Sequence, residues 1–250
     1  MVEPAFDIKA IFNEDYLYFY ADRLGDARSD ADVDLIERLG PPTAGAEILD
    51  LACGHGRIAN RLAQRGCRVT GVDAVASFLD RAREDADTRG VAVDYVLADM
   101  RDLPWTGRFD AVVCWFTAFG YFDDSDNRRV LREMARVLRP GGTLLLDVVH
   151  YTYLVREHLS TTVVERDGDL LLDRHHLDPI AGRTVVERTI IRDGNVRHRI
   201  PWFVRLFTFT ELRDWLLAAG FGSVDGYGED GAPLTADSAR MILVATVPTP

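Results

Sequence analysis

The stretch LDLACGHGRIANRLA at residues 49–63 decides the fold. An apolar run ends at Asp50, glycines follow at positions 54 and 56, and a helical pattern of apolar residues begins after them. Glycine lets the backbone adopt left-handed dihedral angles and approach a bound molecule closely. The free N–H groups at a helix start favour a polar or negative group. The pattern therefore predicts a strand, a ligand-binding loop and a helix that begins near Gly56.

Short apolar strands alternate with amphipathic helices from about residue 47 to residue 149, which predicts right-handed crossovers and a parallel sheet. The predicted strands are EILDL, CRVTGVD, VDYVLADM, FDAVVCWF and TLLLDVVH. The predicted helices are GRIANRLAQRG, VASFLDRAREDADTRG and SDNRRVLREMARVLRPGG, the first two closed by Gly66 and Gly90. Two further helical patterns precede them, FDIKAIFNEDYLYFYADRL and SDADVDLIERLG, the second with Ser29 or Asp30 as N-cap.

Residues 160–207 are β-rich, and Asp-Gly pairs at 167–168 and 193–194 predict antiparallel hairpins. TFTELRDWLLAAGF then predicts a helix capped by Thr210 and closed by Gly220. The last two predicted strands lie near 222–229 and 240–247. We expect one α/β, Rossmann-like domain with four parts: a helical lid at 1–42, a ligand-binding core at 43–150, an inserted antiparallel segment at 160–207, and a C-terminal helix with two strands at 208–250.

Composition narrows the class of protein. The 250 residues are 47% hydrophobic and 28% charged, as in an ordinary globular protein. No apolar run is long enough to span a bilayer, and the first residues lack the order of a signal peptide, so we predict a cytoplasmic protein without membrane contact. The net charge of -11 argues against nucleic-acid binding. The cysteines, Cys53, Cys67 and Cys114, lack metal-site spacing.

Acidic residues at the strand ends indicate the ligand. A dinucleotide fingerprint would need a third glycine where Arg57 stands, so a nicotinamide cofactor is the second choice. Asp73, seventeen residues after Gly56, is placed to accept hydrogen bonds from both hydroxyls of a ribose. Asp99 and Met100 end the third predicted strand and suit the amine and the ring of an adenine. Together they predict an adenosine-containing ligand.

The motifs ILDLACGHGR, VTGVDA, LADMRDLPW, FDAVVCWFTAFGYF and LREMARVLRPGGTLLLDVV resemble those of the class I S-adenosylmethionine-dependent methyltransferases, especially their small-molecule branch. The resemblance covers roughly residues 45–150 and continues more loosely to the C-terminus. It implies a seven-stranded, mostly parallel sheet whose last strand is antiparallel, with S-adenosylmethionine as cofactor. Ala52 departs from the glycine that is common at this place in the family.

The resemblance also implies which residues contact the cofactor. They are Asp50, Ala52, Gly54, Gly56, Asp73, Ala74, Asp99, Met100, Cys114 and Trp115. Asp73 would hold the ribose, and Asp99 with Met100 the adenine. Arg28 or Arg57 would pair with the cofactor carboxylate, because a buried carboxylate favours a planar guanidinium.

The aromatic loop WFTAFGYF at 115–122 is predicted to face the acceptor of the methyl group, although some of its rings could simply pack on the sheet. Residues predicted to bind the acceptor are Tyr16, Tyr20, Phe116, Phe119, Tyr121 and His150. His150 and Tyr121 are the candidates for a general base. At most one of His175 and His176 would face the acceptor, since neighbours on a strand point to opposite faces. The reaction needs no metal.

We therefore expect an enzyme that methylates an oxygen or nitrogen of a small molecule, a secondary metabolite or its precursor, by in-line displacement with proximity and desolvation. Two alternatives stay open: a protein that binds the cofactor without methyl transfer, such as a cyclase, and an NAD-dependent enzyme. The inserted segment would select the acceptor, or pair two copies into a homodimer through its free strand edges.

Overall fold

Helices and strands alternate through most of the chain in the computed structural model, which describes residues 7–40, 44–157 and 159–249, with backbone only at 198–200. The α-helices are α1 Ile8–Ile11, α2 Glu14–Tyr20, α3 Asp26–Leu39, α4 Ala59–Gln64, α5 Ala76–Arg89, α6 Asp124–Val137, α7 Tyr151–Arg156 and α8 Phe209–Ala219. The strands are β1 Glu47–Leu51, β2 Arg68–Asp73, β3 Val93–Leu97, β4 Phe109–Cys114, β5 Leu138–Val149, β6 Thr161–Arg166, β7 Asp169–Asp178, β8 Arg183–Arg192, β9 Asn195–Arg205, β10 Ser223–Tyr227 and β11 Arg240–Thr246.

Seven strands form the main sheet in the order β10-β11-β5-β4-β1-β2-β3. The pairs among β1 to β5 are parallel, whereas β11 runs antiparallel to both β5 and β10. The predicted α/β, Rossmann-like sheet with an antiparallel last strand is confirmed. The strand order reverses at β1, which lies between β2 and β4, and such a reversal opens a crevice at the carboxyl ends of the strands.

The N-terminal helices differ from the predicted pair. Asn13 interrupts the first pattern and begins α2, because its side chain accepts the N–H groups of Asp15 and Tyr16. Helix α3 begins at Asp26, so Ser29 is not its N-cap; the Ser29 hydroxyl instead donates to the carbonyl of Gly25 inside the first turn. Asp30 likewise lies inside α3. The ends of the predicted lid at 1–6 and 41–42 lie outside the described residues.

The predicted inserted segment is a separate four-stranded antiparallel sheet in the order β6-β7-β8-β9. Both Asp-Gly pairs form its turns, with φ of 50° and 84° at residues 167 and 168 and 52° and 73° at 193 and 194. Such left-handed pairs match the twist of a hairpin. The sheet packs on the N-terminal helices: Ile11 shares a buried cluster with Val186 and Trp202.

A buried ion pair ties β7 to β8. Asp173 and Arg188 lie directly opposite each other, 4% and 3% exposed, with Nε–Oδ1 and Nη2–Oδ2 distances of 2.9 and 2.7 Å. The guanidinium also donates to the hydroxyl of Tyr20 and lies 4.5 Å from the Trp202 ring centroid. This pair links the inserted sheet to α2, because Tyr20 is the last residue of that helix.

Several element boundaries differ from the sequence prediction. Helix α4 begins at Ala59, three residues after Gly56, and β3 ends at Leu97, before Asp99. Helix α7 was not predicted. Thr208, and not Thr210, caps α8 by accepting the N–H of Glu211. Among the described residues no helix has the length and apolar character needed to cross a membrane.

Candidate active site

A cavity lies at the carboxyl ends of β1, β2 and β4, where the strand order of the main sheet reverses. Its floor includes Asp50 and Asp73, and the N-terminal helices close it from above with Ile8, Phe12 and Tyr16. The sequence prediction of a ligand site at this edge agrees with the position of the cavity. Parts of the chain separated by more than a hundred residues therefore meet at one site.

The two loop glycines, Gly54 and Gly56, have different structural roles. A Cβ on Gly54, whose φ is +57°, would meet only the Phe78 ring at 4.0 Å, so the loop is open towards the cavity there. A Cβ on Gly56, whose φ is +79°, would lie 2.3 Å from the Tyr95 hydroxyl. Gly56 is therefore needed for packing beneath the loop, and the expectation that it lines the ligand is wrong in position. Ala52 lines the cavity with φ of +58°, a conformation that glycine adopts more easily.

Asp50 is buried at the end of β1. The N–H of Ala59 bonds to its carboxyl group, while its Oδ2 has no hydrogen-bond partner among the described residues. Burial raises the pKa of Asp50 to about 7, although nearby Arg57 acts in the opposite direction. A buried carboxyl with an unpaired oxygen facing a cavity can bind a cationic or hydrogen-donating group.

Asp73 ends β2 and links it to the loop. Its two carboxylate oxygens accept the N–H groups of Gly54 and Val75, each at 2.8 Å. Burial raises the pKa of this carboxyl, which these backbone N–H groups oppose. Each oxygen keeps a further lone pair, so the carboxylate can still accept the hydroxyls of a ribose. Ala74, next to it, also lines the cavity.

Asp99 and Met100 line the same cavity two and three residues after β3 ends. Asp99 is held by Arg101, whose Nε and Nη2 lie 3.0 and 2.6 Å from its two oxygens. That guanidinium lowers the pKa of Asp99 and also lies 4.5 Å from the Phe122 ring centroid. The sequence interpretation did not include Arg101, which lines the cavity beside the predicted adenine residues.

Of the two arginines predicted for the cofactor carboxylate, only Arg57 lines the cavity. Its Nη1 donates to Asp32 at 2.8 Å, and its buried Nη2 has no hydrogen-bond partner among the described residues. Arg28 lies outside the cavity lining, where its side chain is 45% exposed and its Nε is 3.3 Å from Asp32. Arg28 lies in the first turn of α3 with its side chain partly exposed to solvent, so it does not reach the cavity.

Two predicted ligand contacts, one at the end of β4 and one in the aromatic loop, lie in the core and not in the cavity. Cys114 is fully buried, and Phe119 is 1% exposed with its ring stacked on Phe207 at 5.6 Å. Trp115 and Phe116 do line the cavity. The prediction that Cys114 and Phe119 contact ligands was wrong in position, because these side chains face the apolar layer between the sheet and α6 and α8.

Tyr16 and Tyr121 line the cavity at the end covered by the N-terminal helices. Burial raises the pKa of both phenols, so they keep their protons near neutral pH. Tyr20 lies behind them: its ring stacks on Tyr16 at 4.8 Å and its hydroxyl accepts from Arg188. Tyr20 can therefore support the cavity wall through Tyr16, in place of the direct contact that was expected.

His150 is not positioned as a general base. It is 5% exposed, its Nδ1 lies 2.8 Å from the Ser238 carbonyl oxygen, and its backbone bridges to Phe207. It joins the end of β5 to the segment before β11 and lies outside the cavity lining. His175 and His176 also lie away from it: His175 Nε2 is 3.0 Å from the Thr162 hydroxyl, and His176 is exposed on the inserted sheet.

His55 is a cavity residue that sequence reasoning missed. Burial, together with nearby Arg57, lowers the pKa of His55 to about 4, so the ring is neutral near pH 7. Its place between the two loop glycines was a usable signal, since both glycines and Ala52 had been assigned to the ligand.

The residues present fit the cofactor implied by the sequence motifs. An unpaired buried carboxyl oxygen of Asp50 and an unpaired buried guanidinium nitrogen of Arg57 line the same cavity, as the ammonium and carboxylate of an amino acid require. Gly54 leaves room for close backbone approach. Asp73 supplies acceptors where a ribose is expected. When bound, S-adenosylmethionine supplies a methyl group activated on a sulfonium.

Known methyltransferase sequences match this chain. Residues 48–142 match the family model for a methyltransferase domain. GWCH70_2453 of Geobacillus sp. (strain WCH70), which carries a provisional name as a methyltransferase, is 31% identical over 254 residues, covering 93% of this chain and 98% of that protein. YqeM of Bacillus subtilis (strain 168), also provisionally named a methyltransferase, is 35% identical over 126 residues; that match covers 49% of this chain and only half, 50%, of YqeM.

Solved structures share the fold. The CcbJ methyltransferase of Streptomyces caelestis superposes with a TM-score of 0.77 at 23% identity, covering 94% of this chain and 98% of that one. The sugar N-methyltransferase KedS8 of Streptoalloteichus sp. ATCC 53650 gives 0.71 at 24%, covering 99% of each. CalS10 of Micromonospora echinaspora, an amino pentose methyltransferase solved with S-adenosylmethionine bound, gives 0.69 at 22%, covering 96% and 99%.

The strand order and the cavity define a Rossmann-like α/β domain with a ligand cavity where the strand order reverses. The chain belongs to the class I S-adenosylmethionine-dependent methyltransferases, and S-adenosylmethionine is its cofactor.

Cofactor affinity is expected to depend on pH through Asp50. The ionised carboxyl attracts the ligand's ammonium group and the protonated one does not, so affinity for S-adenosylhomocysteine should rise with pH up to about 7. Below pH 7 the slope should approach about tenfold per pH unit. The stability of the ligand-free protein is expected to follow the opposite trend: the raised pKa of Asp50 favours the folded state at low pH, and that contribution is lost as pH rises through about 7.

Calorimetry between about pH 5.5 and pH 8 measures this slope. Asp50→Asn is the matched control, since it keeps the side-chain volume and removes the titration; its affinity should be flat over this range. His55 does not interfere, because its pKa of about 4 lies below the range. An equal slope in wild type and Asp50→Asn would show that another group controls binding.

Proposed function

We propose that this protein transfers a methyl group from S-adenosylmethionine to a nitrogen or oxygen atom of a small molecule. The observation that carries the proposal is that charged and aromatic side chains line one and the same cavity. Asp50, Asp73 and Arg57 form a charged part suited to the cofactor. The Phe12 ring contacts those of Tyr16 and Tyr121 at centroid distances of 5.1 and 5.6 Å, and these three rings, with Phe116, would form an aromatic part suited to the acceptor.

The aromatic part favours an amine over other acceptors. Aromatic faces attract cations, which here include a sulfonium and a protonated amine. The same rings exclude water, and desolvation favours the neutral, nucleophilic form of an amine over its charged form. The names of KedS8 and CalS10, a sugar N-methyltransferase and an amino pentose methyltransferase, support a small, polar acceptor that bears an amine.

In this proposal the chain contributes positioning, exclusion of water and hydrogen bonding. In-line displacement needs the nucleophile, the methyl carbon and the sulfur in one line, and holding them so lowers the barrier without a covalent intermediate. Phe116 and Tyr121 would wall the acceptor, and Tyr16 would close it from above. The phenols of Tyr16 and Tyr121 would donate hydrogen bonds to the acceptor, since burial raises their pKa values.

The inserted sheet would shape the acceptor end from behind. Val186 and Trp202 of that sheet pack in one cluster with Ile11, Phe12 and Tyr121. A change of side-chain volume on β8 or β9 would therefore move Phe12 and Tyr121, which line the cavity. We propose that this sheet determines the choice of acceptor. Pairing of two copies through its free edge stays a prediction.

The proposal is tested with S-adenosylmethionine carrying a deuterated methyl group. The protein is incubated with small amines, amino sugars and phenols in one set of reactions, and with total RNA or total protein in another. We expect the label on a small molecule, with one S-adenosylhomocysteine formed per methyl transferred. Label in the RNA or protein fraction, with none on small molecules, would contradict the proposal.

Once an acceptor is found, Tyr121→Phe is expected to lower kcat/KM by about tenfold or less, the usual effect of losing one hydrogen bond. The pH profile should not shift, because a phenol that stays protonated is not the group that titrates. Tyr18→Phe is the matched control: that tyrosine lies outside the cavity and its hydroxyl donates to the Arg166 carbonyl. A pH profile that changes shape in Tyr121→Phe would make Tyr121 a general base.

A further inference from the structure

Four buried or largely buried charged side chains form a chain of alternating sign beside the cavity. Arg57 Nη1 donates to Asp32 Oδ2 at 2.8 Å, and Arg240 Nη1 donates to Asp32 Oδ1 at 3.1 Å. Arg240 then donates from Nε and Nη2 to Asp147, at 2.9 and 2.5 Å. Asp147 is fully buried and Asp32 is 2% exposed. The group is neutral as a whole, as burial of charges requires.

Asp147, at one end of this series of charged side chains, holds a turn with an unusual backbone conformation. Phe116 and Thr117 both have positive φ, 62° and 56°, which is rare for any side chain and especially for a β-branched one. The N–H of Phe116 donates to the Asp147 carboxylate at 2.8 Å, and the N–H of Thr117 donates to the Asp147 carbonyl at 3.1 Å. One residue therefore fixes both amides of the turn, which lines the acceptor end of the cavity.

Arg57, at the other end of this series of charged side chains, contacts the same turn. The Arg57 guanidinium lies 5.1 Å from the Phe116 ring centroid, a cation–π distance. Phe116 is thus held through its ring by Arg57 and through its N–H by Asp147. Arg57 also faces the cavity with the unpaired Nη2 described above. These contacts form a closed circuit. It connects Arg57, whose Nη2 can bind an anion, with Phe116, which lies in the wall where the acceptor is expected.

We propose that Asp32, Arg240 and Asp147 are positioning residues that couple occupancy of Arg57 by the cofactor carboxylate to the order of the Phe116–Thr117 turn. This inference rests on the proposed function, in which Arg57 binds that carboxylate. Binding of an anion to Arg57 fixes its guanidinium, and with it the Phe116 ring and the Asp32 carboxylate. Arg240 carries that constraint to Asp147 and hence to both amides of the turn. The acceptor wall, which is already formed without ligand, then becomes more ordered when the cofactor binds.

Amide hydrogen exchange at residues 116 and 117 tests the coupling without an acceptor. Exchange is followed with and without saturating S-adenosylhomocysteine in wild type, Asp147→Asn and Arg240→Gln. In wild type we expect the ligand to slow exchange at both amides by about tenfold or more. In the two variants we expect less than about twofold slowing, although the ligand still binds, with a dissociation constant within about tenfold of wild type.

Arg28→Gln is the matched control, because Arg28 also pairs with Asp32 but is 45% exposed and stands outside the circuit. It should respond to the ligand as wild type does. Arg240→Lys keeps the buried charge and serves as the decisive variant if the other two do not fold; it should lose more than half of the ligand-induced slowing. Wild-type slowing in the folded circuit variants would overturn the inference. Failure of wild type to bind S-adenosylhomocysteine would instead overturn the proposed function.

Discussion

Asp73→Ala is expected to weaken the binding of S-adenosylhomocysteine by about 30- to 700-fold, which corresponds to about 2–4 kcal/mol. The substitution removes the carboxylate proposed to accept two ribose hydroxyls. It also removes the acceptors of the Gly54 and Val75 N–H groups, which lie 2.8 Å from the carboxylate oxygens. The binding loop therefore loses its side-chain link to β2 at the same time, while the bond from the Cys53 N–H to the Val72 carbonyl remains.

Calorimetry of the wild type and the variant measures this effect. Asp73→Asn keeps one acceptor oxygen and the side-chain volume, so its affinity should lie between the two. Asp80→Ala is the surface control: that carboxylate is 72% exposed and pairs only with Arg83 on the same helix among the described residues. An unchanged affinity in Asp73→Ala would show that the ribose is held elsewhere.

Gly56→Ala is expected to lower the free energy of unfolding by about 3 kcal/mol, the sum of overpacking and a left-handed alanine. The new Cβ would stand 2.3 Å from the Tyr95 hydroxyl and 2.9 Å from the Ala82 Cβ. The Tyr95 hydroxyl cannot move away freely, since it donates to the buried Asn60 side chain at 2.6 Å. The cost therefore falls on the packing between α4, α5 and β3.

Gly54→Ala is the matched comparison for this prediction. Its Cβ would meet only the Phe78 ring, at 4.0 Å, so the loss of stability should be about 1 kcal/mol, from the left-handed backbone alone. It projects into the cavity, so affinity for S-adenosylhomocysteine should fall by about tenfold. Denaturant unfolding and calorimetry separate the two variants. Equal losses of stability would show that the two glycines do the same work.

The main sheet could be predicted from sequence because each level of evidence agreed. Strand and helix patterns alternated between residues 47 and 149, and the seven-stranded, mostly parallel sheet with its antiparallel β11 matched the expectation. The Asp-Gly turns of the inserted sheet were also correct, since only a few residues adopt two successive left-handed conformations. Helix boundaries failed where a competing cap was present: Asn13 and Thr208 accept helix N–H groups at points the patterns did not favour.

The cavity residues on strand ends could be predicted, whereas side-chain directions beyond them could not. Asp50 and Asp73 lie at the carboxyl ends of buried strands, so the strand fixes where they lie. His150 and Phe119 also lie near strand ends. However, the His150 ring nitrogen lies at hydrogen-bond distance from the Ser238 carbonyl before β11, and the Phe119 ring stacks on Phe207. These partners come from distant parts of the sequence, and no local pattern identifies them.

The circuit through Asp32, Arg240 and Asp147 was invisible for the same reason. Its members lie on α3, β11 and β5, and 208 residues separate Asp32 from Arg240. Each looks alone like an ordinary charged residue of an acidic chain. Only the sheet topology, which places β11 beside β5, brings Arg240 to Asp147. A single sequence therefore gives little information about which residues form buried ion pairs of this kind.

Competition calorimetry between S-adenosylhomocysteine and NAD tests the central claim most directly. The absence of a third glycine at Arg57 and the acids at Asp50 and Asp73 favour the sulfur ligand. We expect S-adenosylhomocysteine to bind with one site per chain, to lose affinity in Asp73→Ala, and to be unaffected by excess NAD. Tight binding of NAD, with no binding of S-adenosylhomocysteine, would contradict the account.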